Sequence, residues 1–239
     1  MGVLDAKLRD YAAETDYKPF FEALFSKEAI VSASVLQSCY TTFGMSLYEQ
    51  IAVVLAKSND WEANRQYSLL GSVDEATETL IHQICNASDA PNKLRDIEFI
   101  RKNIKKGPPL KDKESIVDVF VRKADGTEMY VDITTVKGNL KEFRALRRKM
   151  LRWCALRFSQ NPQVKIQTYI GIPYNPYHPE KYTRWTSVEC DPVHDMLVQN
   201  DLWNAFAGEE VFEDLLGVFS EVGRVYREHL QKLITGRST

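Results

Sequence analysis

Residues 114–139 decide the fold of this chain, and their sequence is ESIVDVFVRKADGTEMYVDITTVKGN. The stretch predicts two strands, Ser115–Arg122 and Glu128–Val136, joined by a tight turn at Asp125-Gly126. Asp-Gly between two apolar runs is a strong signal for a β-hairpin. Because Val, Ile, Phe and Tyr occupy both faces of each strand, we expect the hairpin to lie inside a sheet that is covered on both sides.

Each predicted strand carries one acidic residue in the middle of this apolar setting, Asp118 in the first and Asp132 in the second. A two-residue turn would place the two acids on opposite faces of the sheet. A three-residue turn over residues 124–126, with Gly126 in the left-handed conformation, would place them directly opposite each other. We predict the three-residue turn, which sets the two Cβ atoms about 4.5–5.5 Å apart, close enough for both carboxylates to bind one divalent ion.

The pattern resembles the core of the PD-(D/E)xK nucleases. It has an acid on one strand, a short hairpin, and a second acid with a lysine soon after it. Three segments narrow the resemblance: FGMSLYEQ at residues 43–50, YVDITTVKGN at 130–139, and IPYNPY at 172–177 with Arg184-Trp185 after it. In this order they are similar to the TdeIII family of type II restriction endonucleases. The chain departs from the motif at one position, because Thr134 stands two residues after Asp132, where the motif has lysine.

The resemblance implies a sequence-specific endonuclease that uses Mg²⁺, bound by Asp118 and Asp132, to hydrolyse double-stranded DNA. It also implies an α/β (α+β) fold, in which a small mixed central β-sheet is flanked by helices and has helical N- and C-terminal additions. We expect a single domain over residues 1–239. Within it, residues 1–110 would be mainly helical, 114–172 would form the catalytic core, and 173–239 would form a loop and the C-terminal helices.

Two hypotheses account for Thr134. In one, Lys137 supplies the positive charge of the motif lysine, although a regular strand directs it to the opposite face. In the other, the site binds the metal ion and DNA without cutting, which would make the chain an inactive, sequence-specific DNA-binding protein on the same fold.

Glu49 also has two interpretations. The sequence Ser46-Leu-Tyr-Glu49 is a capping box, in which the Glu49 side chain accepts a hydrogen bond from the backbone N–H of Ser46. The resemblance suggests instead that Glu49 is a third acid of the metal site, brought in from a neighbouring helix.

A helix predicted to follow the break at Gly138-Asn139 and to run to about Phe158 carries one basic stripe at spacings of three and four residues. Its members are Lys141, Arg144, Arg148 and Arg152. The sequence places almost no acid beside the stripe, which favours contact with DNA phosphates over a merely solvated helix face.

A Pro- and Tyr-rich loop of about 20 residues follows a predicted strand at Val164–Ile170, and compact domains seldom hold a loop that long without a functional reason. The loop offers groups for base recognition, since Asn pairs with adenine and Arg with guanine in the major groove. The alternative is a loop that only covers the edge of the sheet. The candidate DNA-contacting residues of the loop are Tyr174, Asn175, Tyr177 and Arg184.

Composition favours a globular cytoplasmic protein of 239 residues with a net charge of −2. No apolar run approaches a membrane span, and the four cysteines are too far apart to form a zinc motif. A symmetric DNA target would be matched by a homodimer, with one active site for each strand. A third interpretation, from a different class, is an interaction protein whose basic stripe meets an acidic protein surface.

Overall fold

The computed structural model describes residues 46–104, 107, 115–134 and 137–235, together with isolated positions and short runs between 19 and 37. The chain divides into two compact units, one of residues 49–211 and one of residues 1–48 with 212–239. The first unit contains the whole sheet and both acids of the hairpin. A single domain over residues 1–239 stays a prediction.

A mixed sheet of five strands forms the centre of the first unit, with the strands in chain order across it. The first three strands run antiparallel, and the third, fourth and fifth run parallel. This arrangement confirms the predicted α/β class. The strands are β1 (Glu62–Ser68), β2 (Ile116–Arg122), β3 (Glu128–Ile133), β4 (Ile166–Ile172) and β5 (Met196–Val198).

Five helices are described in or leading into the first unit, and one long helix belongs to the second. The fourth helix connects β3 to its parallel neighbour β4, and the second and third helices pack against it. None of the described helices is both long and apolar enough to cross a membrane. The helices are α1 (Tyr48–Lys57), α2 (Glu75–Cys85), α3 (Lys93–Asn103), α4 (Leu140–Gln160), α5 (Asn200–Ala207) and α6 (Phe212–Thr235).

The hairpin between β2 and β3 has the predicted three-residue turn. Arg122 lies opposite Glu128, and the amide of Lys123 donates to the Thr127 carbonyl at 2.9 Å, which leaves residues 124–126 as the turn. Gly126 has a φ of 79°, the left-handed conformation that glycine adopts without steric cost. The prediction is therefore confirmed, although β3 ends at Ile133 and not at Val136; Thr135 and Val136 lie outside the described residues.

Both faces of the sheet are covered at the hairpin, as the sequence predicts. On one face, the rings of Phe120 and Tyr130 lie 5.1 Å apart, and Tyr130 lies 6.4 Å from Trp153 of α4. On the other face, α5 approaches so closely that a Cβ atom on Gly171 would lie 2.9 Å from Leu202. Every residue of β3 is buried as a result.

Helix α4 begins where the acids of the hairpin lie. Asn139 caps it by accepting from the Glu142 amide at 3.0 Å, and the Glu142 side chain accepts from the Asn139 amide at 3.3 Å. This reciprocal capping box satisfies two amides of the first turn, so the helix starts at a defined residue directly beside the end of β3.

Candidate active site

The two acids of the hairpin converge on one face of the sheet. Val119 pairs with Val131, so the same register places Asp118 opposite Asp132. Their carboxyl groups lie close enough for the charge of Asp132 to act directly on Asp118. Asp118 also accepts a hydrogen bond from the Ile133 amide at 2.9 Å, which fixes the direction of its carboxylate. The predicted juxtaposition of the two side chains is confirmed.

The environment of this pair raises the pKa of Asp118 from its usual value near 3.8 to about 8. Burial is the main cause, and the negative charge of Asp132 is the second. The ammonium of Lys149 and the Ile133 amide act in the opposite direction without offsetting the rise. Among the described residues, Lys149 brings one positive charge to the two carboxyl groups, so a proton or a cation is needed to balance the second negative charge.

Lys149 of α4 supplies that positive charge. Its Nζ atom forms an ion pair with Asp132 Oδ2 and lies 5.2 Å from the centre of the Trp153 ring. The side chain is 23% exposed, so the ammonium is held in place but can still be reached from solvent. Lys149 is not among the candidates taken from the sequence. One signal for it was present: it stands three residues after Leu146 and four before Trp153, on the apolar stripe of the predicted helix.

Packing between α4 and β3 determines where Lys149 lies. Alternate residues of β3, and Thr134 just after the strand, each contact one residue of α4. Glu128 contacts Arg157, Tyr130 contacts Trp153, Asp132 contacts Lys149, and Thr134 contacts Glu142. The helix therefore delivers Lys149 to the acid pair as part of a continuous row of contacts.

Thr134 and Lys137 have different surroundings. The Thr134 hydroxyl donates a hydrogen bond to Glu142 Oε1, and its amide donates to the Gly171 carbonyl at 3.0 Å. Lys137 lies in the turn before α4, where its side chain is exposed. Neither residue places a positive charge against Asp118 or Asp132 in the described structure.

Glu49 lies in the first turn of α1, is 2% exposed, and binds β1. Its carboxylate accepts hydrogen bonds from Arg65 Nε and Gln66 Nε2, both at 3.0 Å. Gln66 lies between Arg65 and Tyr67, which pair with Val119 and Val117 of β2, so Glu49 binds the part of β1 that runs beside Asp118. Glu49 thus ties α1 to β1. Its assignment as a third metal ligand remains a prediction.

The basic stripe is neutralised more fully than the sequence suggested, because acids from other elements meet it. Arg144 pairs with Glu189 at 2.7 Å, while Arg148 and Arg152 pair with Glu78 of α2 at 3.8 and 2.8 Å. The Arg152 side chain is only 9% exposed. Lys141 is exposed and has no ion-pair partner among the described residues. The expectation that almost no acid lies beside the stripe is therefore wrong.

The Pro- and Tyr-rich loop is fastened to the segment between the acids and α4. Arg184 Nε and the Thr186 hydroxyl both donate to the Gly138 carbonyl at 2.8 Å. Arg184 also donates to the Tyr177 hydroxyl at 3.2 Å.

Within the loop, Asn175 accepts from the Tyr177 amide at 3.0 Å and donates to the Glu180 carbonyl at 2.7 Å. Trp185, at the end of the loop, is 77% exposed. The polar groups of Asn175 and Arg184 shape this loop, while Trp185 projects from it.

The acid pair fits a magnesium ion. Mg²⁺ prefers oxygen ligands and is commonly held by one or two carboxylates, with water and substrate phosphate completing its shell. Asp118 and Asp132 supply two such carboxylates, and their uncompensated negative charge favours a cation. Across the described ranges, no group of three or more His, Cys, Asp or Glu side chains is placed to hold a metal ion.

Comparison with known proteins gives consistent matches over most of the chain. The model of a family described as "Type II restriction endonuclease, HinfI" matches residues 2–223. The type II restriction enzyme HgiCII of Herpetosiphon aurantiacus is 22% identical over 229 residues, which cover 92% of this chain and 82% of that enzyme.

Two further relatives carry the same description. The type II restriction enzyme MjaII of Methanocaldococcus jannaschii is 25% identical over 197 residues, which cover 77% of this chain and 53% of that enzyme. HgiEI, also of Herpetosiphon aurantiacus, is 20% identical over 235 residues, which cover 92% of this chain and 82% of that enzyme.

Proposed function

Since this chain belongs to the HinfI family of type II restriction endonucleases, we propose that it cuts double-stranded DNA at the Asp118–Asp132 pair with Mg²⁺ as its metal ion. The observation that carries the proposal is the pair of opposed carboxylates at the end of the hairpin, of which Asp132 is buried and Asp118 partly buried. Structural acids are usually paired with bases, whereas these two face each other and, among the described residues, share the ammonium of Lys149.

Each residue around the pair has a role in this proposal. Asp118 and Asp132 hold the metal ion, and the Ile133 amide orients the Asp118 carboxylate. When bound, the ion would polarise the scissile phosphate and lower the pKa of an attacking water. Thr134 holds Glu142 through its hydroxyl and so supports the start of α4 beside the site.

DNA contacts outside the pair are also part of the proposal. We assign phosphate contacts to Lys141 and Arg144, which are exposed, and to Arg148, which is half-exposed. The sequence also predicts a phosphate contact for Arg152, but its burial against Glu78 favours a structural role. Tyr174, Asn175, Tyr177 and Arg184 belong to the loop that would meet the bases.

The proposal has three narrower parts: a likeness to the TdeIII family, a homodimer and a cytoplasmic location. The likeness to the TdeIII family rests on the three quoted segments, whereas the family whose model matches is that of HinfI. A homodimer rests on the symmetry of duplex DNA. A cytoplasmic location rests on composition and the absence of a disulfide pattern in the sequence.

A cleavage assay tests the central proposal. Supercoiled plasmid incubated with the protein and Mg²⁺ should give discrete linear fragments, and EDTA should prevent the reaction. Asp132→Asn should reduce cutting by at least about 10²-fold, because the ion loses one of its two carboxylates.

Asp125→Asn is the matched control. This acid lies in the exposed turn of the same hairpin, and asparagine can keep its hydrogen bond to the Thr127 amide. Sequence-specific binding without cutting, at any Mg²⁺ concentration, would instead support the inactive DNA-binding protein.

A further inference from the structure

The proposed site lacks a lysine at the motif position, because Thr134 stands there. A nuclease site of this kind uses an ammonium to orient water and to balance charge on the reacting phosphate. Which residue of this chain supplies that ammonium is a separate question from whether the Asp118–Asp132 pair holds the metal ion, and its answer rests on the proposed function.

We propose that Lys149 of helix α4 is the catalytic lysine of this site, contacting the attacking water and the scissile phosphate from the face that Asp118 and Asp132 share. Lys149 forms an ion pair with Asp132, the residue that starts the motif in which Thr134 replaces lysine. The ammonium therefore stands at the same carboxylate that a motif lysine would neighbour.

Helix–strand packing fixes the ammonium in this place. A step of four residues along α4 advances about 6 Å, and a step of two residues along β3 advances about 6.6 Å. The contacts of Arg157, Trp153 and Lys149 with alternate residues of β3 follow these matched steps. Lys149 is thus held by the geometry of two core elements, which is how a catalytic group is kept in a productive position.

Partial exposure separates Lys149 from the other cations of this row. Arg157 is bound through two nitrogens to Glu128, which also accepts from Arg122 and Tyr130. Among the described residues Lys149 makes one ion pair, with Asp132, and its side chain is 23% exposed and lies beside the Trp153 ring. It can therefore donate to a water or a phosphate oxygen while it remains bound to Asp132.

Thr134 and Lys137, the two other candidates for the catalytic role, do not contact the acid pair with a positive charge. The Thr134 hydroxyl is committed to Glu142 and carries no charge. Lys137 lies in the exposed turn that leads to Asn139. Of these three residues, Lys149 alone brings a positive charge into contact with the acid pair.

The chemistry assigned to Lys149 leaves it protonated throughout. The water oxygen bonds to phosphorus, and the bond between phosphorus and the leaving sugar oxygen breaks with its electron pair going to that oxygen. The attacking water releases its proton to solvent, and the leaving oxygen takes one from solvent. Lys149 donates hydrogen bonds to the water and to a non-bridging phosphate oxygen, whose negative charge grows in the transition state.

The test uses Lys149→Met, which keeps the apolar stem against Trp153 and removes the charge. Plasmid cutting in Mg²⁺ should fall about 10²–10³-fold, as for the loss of one preorganised donor. Lys165→Met is the matched control, since Lys165 is a largely exposed lysine beside Asp125, at the opposite end of the hairpin from the acid pair. Adding Thr134→Lys to Lys149→Met should recover part of the cutting by returning an ammonium beside Asp132.

A second readout separates catalysis from support of the metal site. In the DNA-free protein, the rise in melting temperature caused by Mg²⁺ should be kept or enlarged in Lys149→Met, because a competing positive charge has left Asp132. The same rise should disappear in Asp132→Asn. A lysine that merely maintained the carboxylates would lose the Mg²⁺ response together with the cutting.

Two results would overturn the proposal: Lys149→Met that cuts within tenfold of the unaltered chain, or one that has lost its Mg²⁺ response. Failure of the unaltered chain to cut, or of Asp132→Asn to change cutting, would count against the proposed function itself.

Discussion

At the scale of single residues, Asp118 makes the stability of the metal-free protein depend on pH. Its pKa in the folded chain is raised to about 8 by burial and by Asp132, whereas the unfolded chain has the usual value near 3.8. Between these two pH values the folded state binds more protons than the unfolded state, so stability falls as pH rises. The loss of stability caused by ionising Asp118 is absent below pH 3.8 and complete above about pH 8.

We therefore expect the melting temperature in EDTA to decline from pH 5 to pH 8, by about 2–4 °C for each kcal/mol of lost stability. Asp118→Asn should flatten the decline, because an amide carries no charge at any of these pH values. Asp125→Asn should leave it unchanged, since that exposed acid is not part of the pair. A parent profile without a slope, or one that Asp118→Asn does not alter, would show that the pair is not strained by its own charge.

At the scale of secondary-structure elements, α4 combines two roles that the sequence pattern does not separate. One edge of its apolar face contacts β3 and carries Lys149, while the basic stripe is divided between solvent, Glu189 and α2. Lys141 lies at the exposed start of the helix, whereas Arg152 lies under α2 beside Glu78. The two residues belong to one predicted stripe, but the structure predicts that their replacement by Ala affects DNA binding in one case and stability in the other.

Lys141→Ala should reduce the slope of log K for DNA binding against log salt by about one unit, because one phosphate contact is lost. Arg152→Ala should leave that slope unchanged and lower the free energy of unfolding by on the order of 1–3 kcal/mol, since Glu78 loses its partly buried partner. Binding titrations at several salt concentrations and urea denaturation measure the two effects. The opposite assignment, with Arg152 changing the salt slope, would place the stripe against DNA despite its burial.

The hairpin was predictable from the sequence because its information is local. Asp125-Gly126 specifies the turn, and the side-chain alternation then determines that Asp118 faces Asp132. Lys149 was not predictable in the same way, because it follows Asp132 by 17 residues and reaches it only through the packing of α4 on β3. The neutralisation of the basic stripe was equally hidden, since Glu78 comes from a separate helix.

Strand β5 shows the same limit within the fold. It has three residues, and its only described strand neighbour is β4, from which it is separated by the long loop and a short 3₁₀ helix. Its sequence, Met196-Leu-Val198, is too short for an alternating pattern to identify a strand. Elements whose partners are distant in sequence depend on tertiary context, which a reading along the chain does not supply.

At the scale of the whole molecule, one chain provides one acid pair, whereas a double-strand break needs two strands cut. We propose that two copies act together on a symmetric site, each cutting one strand. The chain has a mass of 27.5 kDa, so sedimentation of the complex with a short duplex should show about two protein masses for each DNA.

A mixed dimer tests this arrangement more directly than mass does. Copies of the unaltered chain and of Asp132→Asn, carrying different tags, can be co-expressed and purified through both tags in turn. Each such dimer has one working acid pair, because the asparagine copy has lost a carboxylate of its metal site. It should therefore convert supercoiled plasmid to nicked circles, with linear DNA appearing only slowly, whereas the unaltered dimer should give linear DNA directly. Linear product from the mixed dimer at half the normal rate, without accumulated nicked circles, would mean that one acid pair cuts both strands in turn.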